Sequence, residues 1–123
     1  MKYFIIISFI VLVFLQEGCY YDKGELLNPN SSCDTVTVTY SSSINPILTA
    51  FCTGCHSGNN APNGVKLDTY ANVKLQAQDH SGNLLGVITH SPGFDPMPKN
   101  GNKLNDCNIA KVTKWIHDGA INN

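Results

Sequence analysis

The sequence predicts a small all-α domain with long loops and an extended N-terminal arm. Apolar residues recur at helical spacing in three places between residues 43 and 119, and the stretch 78–102 before the last of them is rich in Gly and Pro. Thr35 to Tyr40 alternates Thr and Val as a short strand does, but no segment of matching pattern offers it a partner. We therefore expect little sheet.

The first helix is predicted from an N-cap at Ser43, with Pro46 tolerated in its first turn. The helix is amphipathic and runs directly into Cys52. Residues 57–64, which are rich in Gly, Asn and Pro, are predicted to form a loop. The apolar residues of the helix fall at i, i+3, i+4 and i+7: Ile44, Ile47, Leu48 and Phe51.

Three further helical segments are expected along the chain. A second helix is predicted over about 69–77, and a single helical turn over 84–88. The last helix is predicted to be capped by Asn105 and to end at Gly119. Its apolar face carries Ile109, Val112 and Ile116, with Trp115 beside them.

The composition bounds the size of the domain and its partners. The chain has 123 residues, enough for one ordinary domain, with 42% hydrophobic and 14% charged residues and a formal net charge of −1. Apart from His, every basic residue is Lys. Bidentate recognition of phosphate and guanine depends on Arg, so nucleic-acid binding is not expected.

Residues 1–18 have the features of a secretory signal peptide. Lys2 supplies a positive start, and residues 4–15 form an apolar run shorter than the roughly 20 residues that span a bilayer. Gly18 directly before Cys19 resembles the lipobox at which bacterial lipoproteins are cleaved and lipidated. We expect Cys19 to carry the lipid. Plain secretion with a free thiol is the alternative, less favoured because such a thiol is readily oxidised.

The rest of the chain divides into a tether and a domain. Residues 19–32 contain Gly, Pro, Asn and Ser and are predicted to be a tether, whereas residues 33–123 hold the predicted helices. A lipid on Cys19 would anchor the domain on the periplasmic side of a bacterial membrane. Tyr20 is not the Asp that often retains lipoproteins at the inner membrane, which favours the outer membrane.

The chemistry of the domain is concentrated at Cys52-Thr53-Gly54-Cys55-His56, the signature of covalent haem attachment. Two thiols one helical turn apart add to the two vinyl groups of haem, and the adjacent imidazole reaches the iron from the same side. Zinc is one alternative, but it needs four ligands and the other cysteines are distant singles. A thioredoxin-like redox pair would not require the His, and the strand expected before it is missing.

A low-spin haem needs a second axial ligand, and the chain after its leader contains a single Met, Met97. Pro96 and Pro98 stiffen the backbone around its thioether, which binds iron weakly. We therefore prefer Met97 as the ligand. His90, in a nearby flexible stretch, is the main rival. The remaining alternatives are His80 and His117, the latter expected at the surface near a helix end.

From Ile44 to Ala120 these pieces resemble a class I c-type cytochrome, in particular the small single-haem lipoproteins of that family. The matching features are an apolar helix ending in the haem motif, the Pro-Met-Pro segment about forty residues later, and a closing helix ending Trp-Ile-His-Asp-Gly-Ala. The resemblance implies a compact cytochrome c-like helical fold around one covalent haem c. It also implies that the terminal helices cross beside the haem.

Position by position, the resemblance gives Cys52 and Cys55 the thioether bonds and makes His56 and Met97 the axial ligands of the haem iron. Trp115 falls where the family places an aromatic residue at the helix crossing. Two departures concern that crossing. The residue after the His is Ser rather than the common Gly, and the first helix lacks a Gly that would permit the closest approach.

In a fold whose terminal helices touch, Cys33 before the first helix and Cys107 at the start of the last come close enough to bond. We predict a disulfide between them, with two separate buried thiols as the alternative. This assignment leaves no cysteine over, because one is assigned to lipid, two to haem and two to the bridge.

An iron with both axial positions filled does not readily bind substrate, so the sequence predicts a single-electron carrier, not an enzyme, with redox proteins as donor and acceptor. The alternatives are a haem sensor or enzyme with an open sixth position, and a haem-bearing accessory module of a cell-envelope complex. Burial of the haem is assigned to Leu48, Phe51, Leu67, Tyr70 and Trp115. Four lysines toward the C-terminal end are interpreted either as a docking patch for an acidic partner or as an ordinary solvated surface: Lys99, Lys103, Lys111 and Lys114.

Overall fold

A computed structural model describes residues 33–78 and 83–123, and these residues form helices and turns without a β-strand among them. The predicted all-α class is therefore confirmed for the described part of the chain. The predicted leader 1–18, the tether 19–32 with Cys19, and His80 lie outside it. The elements in order are a π-helical turn Tyr40–Ile44, α1 Asn45–Phe51, a 3₁₀ turn Pro62–Gly64, α2 Tyr70–Gln78, α3 Asn83–Ile88 and α4 Asp106–His117.

The π-helical turn and α1 follow each other directly and together form the first helical segment, Tyr40–Phe51. This segment begins earlier than its predicted cap at Ser43. Thr39 is the cap: its Oγ1 accepts a hydrogen bond from the Ser42 backbone N–H at 3.1 Å. Its carbonyl accepts the N–H groups of Ser43 and Ile44 at 3.1 and 3.2 Å. The prediction was wrong because starting at Thr39 adds a turn that buries Tyr40, a gain that helix-cap preference alone does not reveal.

The later helices agree with their predictions. α2 lies within one residue of its predicted range, and α3 extends the predicted helical turn by one residue. The Asn105 side chain caps α4 by accepting the Asn108 N–H at 2.8 Å. Gly119, with a φ of +94°, lies in the left-handed region that lets the chain leave the helix there. No helix among residues 33–78 and 83–123 has the length and apolar character needed to cross a membrane.

The main core lies where the first helical segment meets α4. Trp115 is 1% exposed, and its ring centroid lies 5.6 Å from that of Tyr40. Tyr70 packs edge-on against Tyr40, with ring centroids 5.1 Å apart. Full burial of a large apolar side chain contributes about 1.5–3 kcal/mol. The largest fully buried side chains of the core are Ile44, Leu48, Val73, Val112 and Trp115.

Polar atoms of these aromatic residues are paired with the residues that follow α4. The Trp115 Nε1–H donates to the carbonyl of Ile121, and the Tyr70 hydroxyl donates to the carbonyl of Ala120, both at 2.8 Å. The Tyr40 backbone N–H donates to Oδ1 of Asn123 at 2.8 Å. Buried aromatic residues with polar atoms need such partners, so this region binds its rings and its last residues together.

Cys33 and Cys107 form a disulfide, as predicted, with Cα atoms 5.3 Å apart. The bond joins the arm that precedes the first helical segment to the first turn of α4. Its sequence separation of 74 residues implies a stabilisation of roughly 4 kcal/mol on the chain-entropy model.

Candidate haem-binding site

The Cys-x-x-Cys-His segment follows α1 as a helical turn. The Cys52 N–H donates to the carbonyl of Leu48 at 2.8 Å, which continues the hydrogen bonding of α1. The N–H groups of Cys55 and His56 then both donate to the carbonyl of Cys52, at 3.1 and 2.9 Å. Cys52 is half-buried and Cys55 is exposed, and both are free thiols. The motif therefore has the one-turn spacing that its chemistry needs.

His56 is oriented by the loop that follows it. Its Nδ1 lies 3.0 Å from the carbonyl oxygen of Val65, and a carbonyl can only accept, so Nδ1 carries the proton. In the neutral ring this tautomer leaves Nε2 with its lone pair, which is the form in which His ligates a metal. The loop is held in turn by the Leu67 N–H, which donates to the His56 carbonyl at 2.8 Å.

A cavity of about 650 Å³ opens beside the motif, within the roughly 300–1,000 Å³ typical of cofactor and ligand pockets. Cys52, Cys55, His56 and Met97 all line it. The structure thus brings together the four residues that the sequence assigns to haem. Most of the remaining wall is apolar and includes Phe51, Leu67, Leu84, Val87, Ile88 and Phe94.

Met97 is held in the cavity wall by its own backbone. Its N–H donates to the carbonyl of Val87 at 2.9 Å. Its carbonyl accepts a hydrogen bond from Nε2 of His90 at 3.0 Å. Of the candidate sixth ligands within the described residues, Met97 lines the cavity, whereas His90 and His117 do not. The His117 side chain is 86% exposed, which confirms its predicted surface position.

Only part of the expected haem cover belongs to the cavity. Phe51 and Leu67 line it, but Leu48, Tyr70 and Trp115 do not. Those three belong to the core at the helix crossing, where Trp115 faces the ring of Tyr40. The structure places them away from the cavity because the apolar face of α4 packs against the first helical segment. The expectation that Trp115 lies at a crossing of the terminal helices agrees with this position.

α3 and the loop after it supply wall residues that the sequence analysis did not single out. Gly86 in α3 has a buried position, and a Cβ there would lie 2.5 Å from the ring of Phe94. Phe94 therefore lies flat against the helix and forms part of the cavity wall. The apolar run over 84–88 was the sequence feature that pointed to this part of the cavity wall. It predicted a helical turn but not that the turn lines a cavity.

The electrostatics of the site are dominated by burial. Burial raises the pKa of the Cys52 thiol to about 11, so this group is a neutral thiol at physiological pH. Zinc binding needs deprotonated thiolates and four ligands. Within residues 33–78 and 83–123 no group of three or more His, Cys, Asp or Glu side chains is placed to hold a metal ion.

The lysines assigned to docking are mostly paired with carboxylates. Lys99 lies 3.4 Å from Asp95, and Lys103 lies 3.4 Å from Asp106. Lys114 forms an ion pair with Asp118. Lys99 also lines the cavity. These pairs reduce the net positive charge of the predicted patch, and exposed pairs of this kind contribute little stability.

Comparisons with known proteins add no family assignment. Neither models of protein families, nor curated proteins, nor solved structures gave a match to this chain.

Proposed function

We propose that this chain is an exported, lipid-anchored c-type cytochrome that carries single electrons between redox proteins. Its domain would have a cytochrome c-like fold around one haem c, with thioether bonds to Cys52 and Cys55 and axial ligands from His56 and Met97. The observation that carries the proposal is the meeting of these four residues in one apolar cavity.

The donor set suits haem in three respects. The two thiols lie one helical turn apart, the spacing at which they add to the two vinyl groups. The Val65 carbonyl fixes the proton of His56 on Nδ1 and leaves Nε2 to ligate iron. The mainly apolar wall excludes water from a hydrophobic macrocycle, as cofactor pockets do.

When bound, haem supplies one reversible electron at its iron. The residues of the chain tune that chemistry. The thioether of Met97 is a soft, neutral ligand that favours ferrous iron and raises the reduction potential. The apolar wall disfavours the additional positive charge of ferric iron and therefore also raises the reduction potential.

An electron carrier fits this site better than an enzyme does. With His56 and Met97 both holding the iron, a bound haem would have no position for substrate. The acidic and basic side chains of the wall, Asp95 and Lys99, are paired with each other rather than aimed as an acid and a base at a common point. Donor and acceptor would therefore be redox proteins that approach the cavity mouth.

The test begins with the protein produced together with a haem-attachment system. Wild type is expected to retain haem on a denaturing gel, and Cys52→Ala with Cys55→Ala to lose all of it. Cys33→Ala with Cys107→Ala is the matched control, because it also removes two cysteines and should keep covalent haem. Wild type without covalent haem would overturn the proposal.

Optical spectra of the same protein test the sixth ligand and the carrier role. The ferric form should show the weak far-red band of sulfur ligation, and carbon monoxide should not change the ferrous spectrum. A carbon monoxide adduct at low concentration would instead favour a sensor or enzyme with an open site.

Cell fractionation tests the membrane anchor. The wild-type protein should sediment with membranes, preferentially the outer membrane, whereas Cys19→Ser should be released. Equal release of both would contradict lipidation.

A further inference from the structure

His90 has a left-handed backbone conformation, which residues other than Gly adopt infrequently. Its φ is +57°, in the region where a side chain crowds the following carbonyl; Gly is the usual occupant, and among the other residues Asn, Asp and His adopt it most often. An unfavourable conformation at a non-glycine residue persists only when surrounding contacts determine it. The position of the His90 side chain supplies such a contact.

That contact is the hydrogen bond from Nε2 of His90 to the carbonyl of Met97. The two atoms lie 3.0 Å apart, and because the carbonyl can only accept, Nε2 carries the donated proton. The Met97 N–H donates to the carbonyl of Val87 at 2.9 Å. Both polar backbone groups of Met97 are therefore tied to the C-terminal end of α3 and the turn that follows it.

The ties close a short loop on itself. Between His90 and Met97 the chain contains Pro92, Gly93 and Pro96, which form no regular structure. The Phe94 ring lies against Gly86, which anchors the middle of this loop to α3. The hydrogen bond from His90 holds its far end.

We propose that His90 is a positioning residue that holds the Met97 thioether at the haem iron, and is not itself the sixth ligand. This inference rests on the function proposed above. A thioether binds iron weakly, so its occupancy depends on how firmly the backbone presents it. The Nε2 atom that would ligate iron is already used as a donor, and His90 does not line the cavity.

Three variants of the haem-loaded protein separate this role from a general effect on folding. His90→Asn suits the left-handed backbone but is too short to reach the Met97 carbonyl. His90→Gln restores a donor at about the position of Nε2. His117→Asn is the matched control, since its side chain is 86% exposed and does not line the cavity.

The readouts are the far-red band of the ferric protein and the dissociation constant of added imidazole, which competes with Met97 for the iron. In His90→Asn we expect imidazole to bind about 2- to 10-fold more tightly, the range that the loss of one neutral hydrogen bond corresponds to, with a weaker far-red band. His90→Gln should return toward wild type, and His117→Asn should match it.

An unchanged imidazole affinity and band in His90→Asn would overturn the inference while the wild-type band still supported Met97 ligation. The inference would also fail if His90→Gln departed from wild type as far as His90→Asn does, because the restored donor would then have no effect. A wild-type spectrum without the sulfur band that loses its low-spin form in His90→Asn would make His90 the ligand. Wild type without covalent haem would overturn the proposed function, and this inference with it.

Discussion

The helix crossing and the cavity wall are built by different means. At the crossing, Trp115 and Tyr40 pack against each other, and the Trp115 indole N–H and the Tyr40 backbone N–H are hydrogen-bonded to residues after α4. At the cavity, Phe51 is 47% exposed, and the wall is held by backbone ties such as those of Met97. The crossing is stabilised by burial of side chains. The cavity is shaped by hydrogen bonds and by the close approach of the Phe94 ring to Gly86.

The difference predicts that the two regions respond differently to mutation. Changes at the crossing should affect the free energy of unfolding, because packed side chains supply it. Changes in the cavity wall should affect how Met97 is presented, with a smaller loss of stability.

The largest effect is expected from Trp115→Ala at the crossing. Truncation of a side chain that is 1% exposed should lower the free energy of unfolding by about 3–5 kcal/mol. Urea denaturation of the haem-loaded protein followed by circular dichroism measures it, with Leu75→Ala, at a position 68% exposed, as the control expected to change little. The far-red band of the folded variant should persist. A loss below about 1 kcal/mol would contradict the role assigned to the crossing.

An intermediate effect is expected from Gly86→Ala in the cavity wall. The new Cβ would lie 2.5 Å from the Phe94 ring, so the ring must move and the loop carrying Met97 with it. We expect a loss of about 1–3 kcal/mol of stability, as for other overpacked sites, together with a weaker far-red band. Gly54→Ala is the control, since a Cβ there meets nothing within 4 Å. If both variants keep the wild-type spectrum, the close approach does not position Met97.

The smallest effect is expected from Asp68, which joins the loop after His56 to the region before α2. Its carboxylate accepts the Gly58 N–H at 2.9 Å and the Asn72 side-chain N–H at 3.1 Å, and these bonds lower the pKa of the carboxyl, the Gly58 bond most. A lowered folded-state pKa stabilises the fold above the unfolded value of about 4, and that contribution is lost as the pH falls through the folded pKa.

Asp68→Asn should therefore be slightly less stable than wild type at pH 6–7, and the two should converge at low pH. Urea midpoints measured for both proteins across this range check the expectation. A difference that stays constant down to acid pH would show that the charge of Asp68 does not contribute.

Local sequence signals predicted the helices well. Asn105 caps α4 and Gly119 follows its end because capping depends on residues within one turn. The start of the first segment was misassigned because Ser43 and Thr39 are both acceptable caps. The choice between them depended on burial of Tyr40 against Trp115, a contact between residues far apart in the sequence.

The candidate site was also predictable only where its residues are neighbours in the sequence. Cys52, Cys55 and His56 are neighbours in the chain, so their pattern carries its chemistry by itself. Phe94 carried no such signal, and the sequence indicated His90 only as a rival ligand, because an aromatic residue and a histidine in a loop suit many roles. Phe94 is placed by its contact with Gly86, and His90 by its hydrogen bond to the Met97 carbonyl. The path of the loop creates both contacts.

The sequence by itself determined the all-α class, most helix limits and the haem hypothesis, because each depends on interactions within one or two helical turns. Tertiary structure alone decided that Trp115 packs against Tyr40 and that α3 forms part of the cavity wall. It also decided that the backbone of Met97 is tied at both ends. These features depend on the path of loops that are rich in Gly and Pro, and local preferences do not specify that path.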